Sequence, residues 1–125
     1  MKYASIAAPL LVLAMTPGVA MAASGQVEVN TAGDFQRKEV TYNCGAEGPL
    51  RVSYINADPN YLAILPVSGV SQDLVFSSVL SGSGTRYAAG KYQWWSTGNS
   101  GSLHDTTLGD DAPAMLTCTQ INGAS

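Results

Sequence analysis

Short runs in which apolar and polar residues alternate dominate the chain after residue 23. Val40, Tyr42 and Cys44, for example, alternate with polar neighbours, and a cluster of turn-forming residues follows them. A period of two is typical of a strand with one buried face, and no stretch here has the 3.6-residue period of a helix. About eight runs are predicted as strands: 40–44, 50–54, 61–65, 74–80, one around Tyr87, 91–96, 102–105 and 114–120. Such short, closely spaced strands predict an all-β antiparallel sandwich or small barrel.

The first 22 residues have the three parts of a secretory signal peptide. Lys2 supplies the positive charge, residues 4–15 form a short uncharged apolar run, and Ala20-Met21-Ala22 is a small-x-small cleavage pattern. We therefore predict a signal peptide at 1–22, a loose polar arm at 23–36 and a β-barrel domain at 37–125. Residue 23 is alanine, where a lipoprotein has its lipid-bearing cysteine. We expect an exported, soluble protein without a membrane anchor.

The charge of the chain narrows the choice of partner. There are 6 Lys and Arg against 9 Asp and Glu, and removing Lys2 with the signal peptide leaves five against nine, a net charge of −4. An acidic domain disfavours nucleic acid and anionic membranes, which are bound through positive charge. It favours a basic protein partner, which attracts it at low salt.

Cys44 and Cys118 are the two cysteines of the sequence, so one intramolecular disulfide can form. Export into an oxidising compartment favours that disulfide, and both cysteines belong to the inward-facing set of their own strands. On the chain-entropy model, closing so long a loop stabilises the fold by roughly 4 kcal/mol. A metal site is disfavoured, because one His and two distant Cys are too few ligands. We expect no metal and no cofactor.

Two motifs lie between residues 81 and 98. Ser-Gly-Ser-Gly-Thr-Arg-Tyr occupies 81–87, and Tyr-Gln-Trp-Trp-Ser-Thr-Gly occupies 92–98. Alone, the first is typical of a flexible hairpin loop whose glycines permit positive φ and close approach of a partner. Together they resemble the paired motifs of the C-type lysozyme inhibitor family, which are commonly Ser-Gly-Ser-Gly-x-x-Tyr and Tyr-x-x-x-Thr-Lys-Gly. The resemblance extends over roughly 38–120 and points to the family's free periplasmic branch rather than to its membrane-bound lipoproteins.

The resemblance implies an eight-stranded antiparallel barrel that inserts the 81–87 loop into the active-site cleft of a C-type lysozyme. Ser83 matches the family's inhibitory serine, and the cleft contains two carboxyl groups to which a small hydroxyl can hydrogen-bond. Thr97 replaces the lysine of the second motif, and Arg86 and Lys91 are the nearby cations that could supply its charge. The predicted lysozyme-binding residues are Ser81, Gly82, Ser83, Gly84, Arg86, Tyr87, Thr97 and Gly98.

Other residues allow other interpretations. The adjacent Trp94 and Trp95 face opposite sides of a strand, so we expect one in the core and the other free to stack on a sugar or a partner. Ser83, His104 and Asp105 are the residue types of a hydrolase triad, but no oxyanion hole accompanies them in the sequence. We expect neither an enzyme nor a catalytic residue. The alternative function is a small periplasmic barrel that binds a glycan or a hydrophobic ligand, and the sequence leaves homodimer formation open.

Overall fold

Eight antiparallel strands form a closed barrel in the computed structural model of the protein, which describes residues 9, 11, 13 and 23–121. Each strand pairs with the next along the chain, and β8 pairs with β1. Two short 3-10 helices, Gly45–Glu47 and Thr106–Leu108, lie in connections. The all-β, eight-stranded barrel predicted above is confirmed. The strands are β1 (Phe35–Asn43), β2 (Pro49–Ala57), β3 (Asn60–Leu65), β4 (Leu74–Val79), β5 (Thr85–Ala89), β6 (Tyr92–Thr97), β7 (Ser100–Asp105) and β8 (Leu116–Gln120).

The signal peptide predicted at 1–22 lies outside the described residues, apart from three isolated positions. No helix in the described part of the chain is long and apolar enough to cross a membrane. Residues 23–34 are exposed and form neither helix nor strand. Near the end of this segment, Ala32 N donates to the Asp58 carbonyl at 2.7 Å, and Asn60 Nδ2 donates to the Asn30 carbonyl at 3.4 Å. The segment is thereby attached to the turn between β2 and β3.

The first two strands are longer than the alternation predicts. β1 begins at Phe35 rather than near Val40, and β2 continues to Ala57. The additional residues pair in register, from Phe35 with Ala57 to Glu39 with Ser53. Residues 35–39 are exposed, so this part of β1 needs no alternating apolar face. The predicted strands 50–54 and 61–65 are therefore too short at the ends that face each other, and only residues 58–59 connect β2 to β3.

The inward-facing side chains pack around Trp94, which is fully buried. The edge of its indole ring lies directly in front of Gly101 on β7, where any Cβ would overlap the ring. The indole N–H donates to the Tyr54 hydroxyl at 2.8 Å, and this hydroxyl hydrogen-bonds to that of Tyr42 at 2.8 Å. Burial, and then the hydrogen bond to Tyr54, raises the pKa of Tyr42. The core thus has a hydrogen-bonded centre inside an apolar wall that includes Val52, Ala63, Leu65, Phe76 and Leu103.

The barrel closes where β8 meets β1. Two residue pairs join these strands, Tyr42 with Gln120 and Asn43 with Thr119. The Cys44–Cys118 disulfide lies beside them and links positions 74 residues apart in sequence. The predicted disulfide is confirmed, and it crosses the shortest seam of the barrel.

Consecutive strands run in opposite directions, so the connections alternate between the two ends of the barrel. Turn 58–59, loop 80–84 and turn 98–99 lie together at one end, which we call the open end. The opposite end carries connections 44–48, 66–73, 90–91 and 106–115. The loop of the first motif and the last residues of the second therefore meet at the open end.

Candidate functional site

The loop between β4 and β5 is held through its backbone. Trp95 Nε1 donates to the Ser83 carbonyl at 3.0 Å, and the Ser81 hydroxyl donates to the same carbonyl at 2.6 Å. The Ser83 side chain is exposed and makes no hydrogen bond to a described residue. The loop is therefore braced while its serine hydroxyl stays free to bind a partner.

Gly84 allows this loop to lie against β6. Its φ is +63°, and a Cβ there would lie 2.5 Å from the Ser96 carbonyl oxygen and 2.5 Å from Thr97 Cγ2. Gly82 differs, because nothing lies within 4 Å of a Cβ built on it and its φ is outside the left-handed region. Only Gly84 is required by the structure of the loop itself. Gly82 keeps the exposed side of the loop narrow.

The hairpin of β5 and β6 places Arg86 opposite Trp95. The guanidinium carbon lies 4.4 Å from the centre of the Trp95 ring, a stacked cation–π geometry. Trp95 therefore holds the loop with its N–H and Arg86 with its ring face. The guanidinium is thereby held on the outer face of the barrel, where Arg86 lines a cavity with Trp95, His104 and residues of connection 106–115.

Lys91, the other cation near the two motifs, lies at the opposite end of the barrel. Its Nζ is 3.3 Å from Asp105 Oδ2, and the hydrogen bond with that carboxylate raises the pKa of Lys91. Hydrogen bonds from Thr107 lower the pKa of Asp105, so both members of the pair are charged at neutral pH. Of the two cations proposed from the sequence, Arg86 is the one stacked on the tryptophan that holds the loop.

The second motif ends beside the first. Thr97 faces outward at the end of β6 and is half-buried against Gly84, and Gly98 follows in the turn with a φ of +54°. Tyr87 instead points into the barrel and is 7% exposed, and burial raises the pKa of its hydroxyl. Loop 81–84 thus meets Thr97 and Gly98 at the open end. Arg86 lies on the outer face against Trp95, and Tyr87 lies inside the barrel.

Ser83, His104 and Asp105 are not brought together. His104 Nε2 shares a hydrogen bond with Ser102 Oγ at 2.9 Å, and Asp105 accepts from Thr107. The Ser83 hydroxyl contacts neither His104 nor Asp105. Within the described ranges there is no group of three or more potential metal ligands. The arrangement presents a rigid hydroxyl-bearing loop rather than a set of reacting groups.

The contact between Trp95 and the loop was not predicted from the sequence, which left the outward tryptophan free to stack on a sugar or a partner. Part of this arrangement could have been predicted from the hairpin turn between β5 and β6. The two-residue turn at 90–91 sets Ala89 opposite Tyr92, and the same register sets Arg86 opposite Trp95. The approach of loop 80–84 to the ring depends on the path between β4 and β5, which alternation does not determine.

The fold and the site together define a small closed antiparallel barrel with a serine–glycine loop held at one end by Trp95 and Ser81. The sequence model of one family, described as membrane-bound lysozyme-inhibitor of c-type lysozyme, matches residues 42–111, which include both motifs. The chain belongs to this family.

Relatives in two bacteria are called membrane-bound lysozyme inhibitor of C-type lysozyme. The one from Pseudomonas aeruginosa is 40% identical over 81 residues, 65% of this chain and 63% of the relative. The one from Cupriavidus necator is 35% identical over 82 residues, 65% of this chain and 64% of the relative. The chain thus spans a little under two thirds of the length of these relatives.

A solved structure shares the fold. It is the crystal structure of Pseudomonas aeruginosa MliC in complex with hen egg white lysozyme. The two chains superimpose with a TM-score of 0.64 at 32% identity, over 81% of this chain and 99% of that chain.

Gly84→Ala is expected to displace the loop from β6, because it combines an unfavourable φ with overlap against neighbouring backbone. Overlap of this kind typically costs about 1–3 kcal/mol. Gly82→Ala is the matched control and should leave the loop unchanged. Thermal unfolding and the ¹H–¹⁵N signal of the Trp95 indole report the result. A Gly84→Ala protein with the parent's melting temperature and Trp95 signal would contradict this account of the brace.

Proposed function

We propose that the protein is an inhibitor of C-type lysozyme that inserts loop 81–87 into the active-site cleft of the enzyme. Family membership supports the target, and the relative in complex with hen lysozyme supports direct binding. The observation that carries the mechanism is the Ser83 carbonyl, which Trp95 and Ser81 hold while the hydroxyl remains free. In this proposal the protein binds an enzyme and is not one itself.

The chemistry of the cleft suits a small hydroxyl. Lysozyme hydrolyses its glycan with two carboxyl groups that flank the scissile bond. The Ser83 hydroxyl, with Gly82 and Gly84 on either side, is on a segment narrow enough to reach them. A hydrogen bond to a charged group contributes roughly 1.5–3 kcal/mol. The remaining affinity comes from the surface around the loop, including Thr97 and Gly98.

Holding the loop in one conformation before binding favours binding, because less conformational entropy is lost when the complex forms. Ordering a flexible side chain at an interface costs about 0.5–1.5 kcal/mol. Here the Ser83 backbone is already held by two hydrogen bonds, and Gly84 is already packed on β6. The loop therefore enters the cleft in the shape that it has in the free protein.

Charge gives a second contribution. The acidic chain is attracted to a basic lysozyme at a distance, whereas the acidic cleft itself attracts a cation. Thr97 lacks the charge of the family lysine, and Arg86, stacked on Trp95, supplies a cation in its place. Loop and guanidinium together present a donor and a positive charge to the two carboxyl groups.

We also propose that the protein acts in the periplasm in soluble form, in contrast to the membrane-bound relatives. The signal peptide pattern at 1–22 supports export. Both cysteines of the sequence are joined in the Cys44–Cys118 disulfide, so neither thiol is free to carry a lipid.

Clearing of a lysozyme-sensitive cell suspension by C-type lysozyme is expected to stop when the mature protein is added in excess. Ser83→Ala should weaken inhibition about ten- to a hundredfold at an unchanged melting temperature, since it removes one hydrogen bond to a charged group. Ser77→Ala, exposed on the outside of β4, is the matched control.

Two outcomes of this assay separate the parts of the proposal. Unchanged clearing at molar excess would show that the protein does not inhibit C-type lysozyme. A Ser83→Ala variant as potent as the parent would leave inhibition standing and remove loop insertion as its mechanism.

Arg86→Gln is expected to weaken lysozyme binding and to reduce its dependence on salt, because it removes the cation that this proposal assigns to the cleft carboxyl groups. Adding Thr97→Lys to that variant should restore part of the affinity by returning the charge to the family's position. Lys91→Gln, at the opposite end of the barrel, is the control. Dissociation constants at low and high salt test this. Equal affinities of the parent and the Arg86→Gln variant for lysozyme would show that the charge of Arg86 does not contribute to binding.

Expression of the full chain in a Gram-negative host should place the mature protein, beginning at residue 23, in the osmotic-shock fluid. A thiol-labelling reagent should modify neither cysteine until a reductant is added, because both are joined in the disulfide. Mass spectrometry of the purified protein checks both points. Recovery only in detergent extracts of the membrane would contradict the soluble form.

A further inference from the structure

The open end contains a concave surface beside the loop. Inward-facing side chains, apolar in the middle of the barrel, become polar where the strands end at this side. We call this concavity the mouth and define it by Lys38, Asn56, Ser78, Thr85, Ser96 and Gln120. We infer that the mouth binds one ring of an N-acetylated sugar, independently of whether lysozyme is the protein's partner.

Two cavities make up the mouth, and they share a wall. One of about 220 Å³ lies against Lys38, Tyr54 and Ser96, and one of about 430 Å³ lies against Ser78 and Thr85. Asn56 and Tyr87 line both. Mouths of β-barrels are a common place for small-ligand sites in which a few polar groups fix the orientation of the ligand.

Tyr87 gives the mouth a free polar group at its floor. The side chain is 7% exposed, yet its hydroxyl has no hydrogen bond to any residue in 23–121. Among the described residues, no fully enclosed side-chain oxygen or nitrogen lacks a partner, so this hydroxyl must reach solvent through the mouth. The neighbouring Tyr54 hydroxyl already accepts from Trp94 and bonds to Tyr42. The floor is therefore rigid, with one donor and acceptor left for a ligand.

The chemistry of the wall is compatible with a sugar. No carboxylate lines either cavity, and Lys38 lies at the rim, so a cationic ligand is disfavoured. Amide and hydroxyl groups both donate and accept, as sugar hydroxyls require, and the donors suit an acetamido carbonyl. Tyr61 lines the second cavity, is 40% exposed, and is fixed by a 3.0 Å hydrogen bond from its hydroxyl to Asp58 Oδ1. Its ring offers an apolar face on which a sugar ring can stack.

The two tryptophans of the chain allow the mouth and the loop to be observed separately. The Trp94 indole N–H belongs to the floor network, and the Trp95 indole N–H is bonded to the loop. Titration of the mature protein with N-acetylglucosamine should move the Trp94 ¹H–¹⁵N signal to saturation and leave the Trp95 signal in place. Glucose, which lacks the acetamido group, should bind more weakly.

Variants at the mouth test the assignment. Asn56→Ala and Ser78→Ala should each weaken N-acetylglucosamine binding about fivefold, the effect of one neutral hydrogen bond. Ser77→Ala, the outward neighbour of Ser78, should bind like the parent. No saturable shift of Trp94 up to high millimolar sugar, or equal binding by both mouth variants and the parent, would overturn the inference. Lysozyme inhibition is measured separately by clearing, so failure of either proposal leaves the other tested on its own.

Discussion

The seam between β1 and β8 closes the sheet through two residue pairs, and the Cys44–Cys118 disulfide compensates for so short a contact. A covalent link between positions 74 apart in sequence removes unfolded-state entropy equivalent to about 4 kcal/mol on the chain-entropy model. Closure also removes the two free edges through which an open sheet would pair with other chains. Because consecutive strands are antiparallel, loop 80–84 and turn 98–99 lie at the same end of the barrel, where Gly84 packs against the end of β6.

Trp94 and Trp95 connect this closed core to the loop. Neighbouring residues on a strand face opposite sides, so one indole is buried against Gly101 while the next lies outside, beneath Ser83. Burial of Trp94 and its hydrogen bond to Tyr54 fix β6 in place. The position of Trp95 follows from that of β6, so the stability of the core determines how well the loop is held.

Much of the fold could be predicted, because strands with one buried face carry a period of two. The pairing of Cys44 with Cys118 could be predicted because they are the two cysteines of the sequence, export to an oxidising compartment is expected, and both face inward on their strands. The start of β1 could not be predicted in this way. Residues 35–39 are exposed on both faces, so their pairing with β2 requires no alternation of apolar and polar residues in the sequence. The two motifs predicted which residues lie close together at the open end, and the residues of loop 81–84 do meet Thr97 and Gly98 there. The contact of Trp95 with the loop depends on the path of the chain between β4 and β5, and the mouth depends on strands from all around the barrel. Alternation within one strand encodes neither.

Ser83 divides two tasks between its backbone and its side chain. In the proposed mechanism the hydroxyl hydrogen-bonds to the cleft, and holding the loop through the Ser83 carbonyl leaves that hydroxyl free. A similar argument applies to the positive charge of Arg86. A lysine at position 97 would be a flexible cation that loses rotamer freedom on binding, whereas Arg86 is already held on the Trp95 ring. If Arg86 supplies the charge as proposed, a cation that is already ordered replaces a flexible one, and a single indole contacts both this cation and the loop.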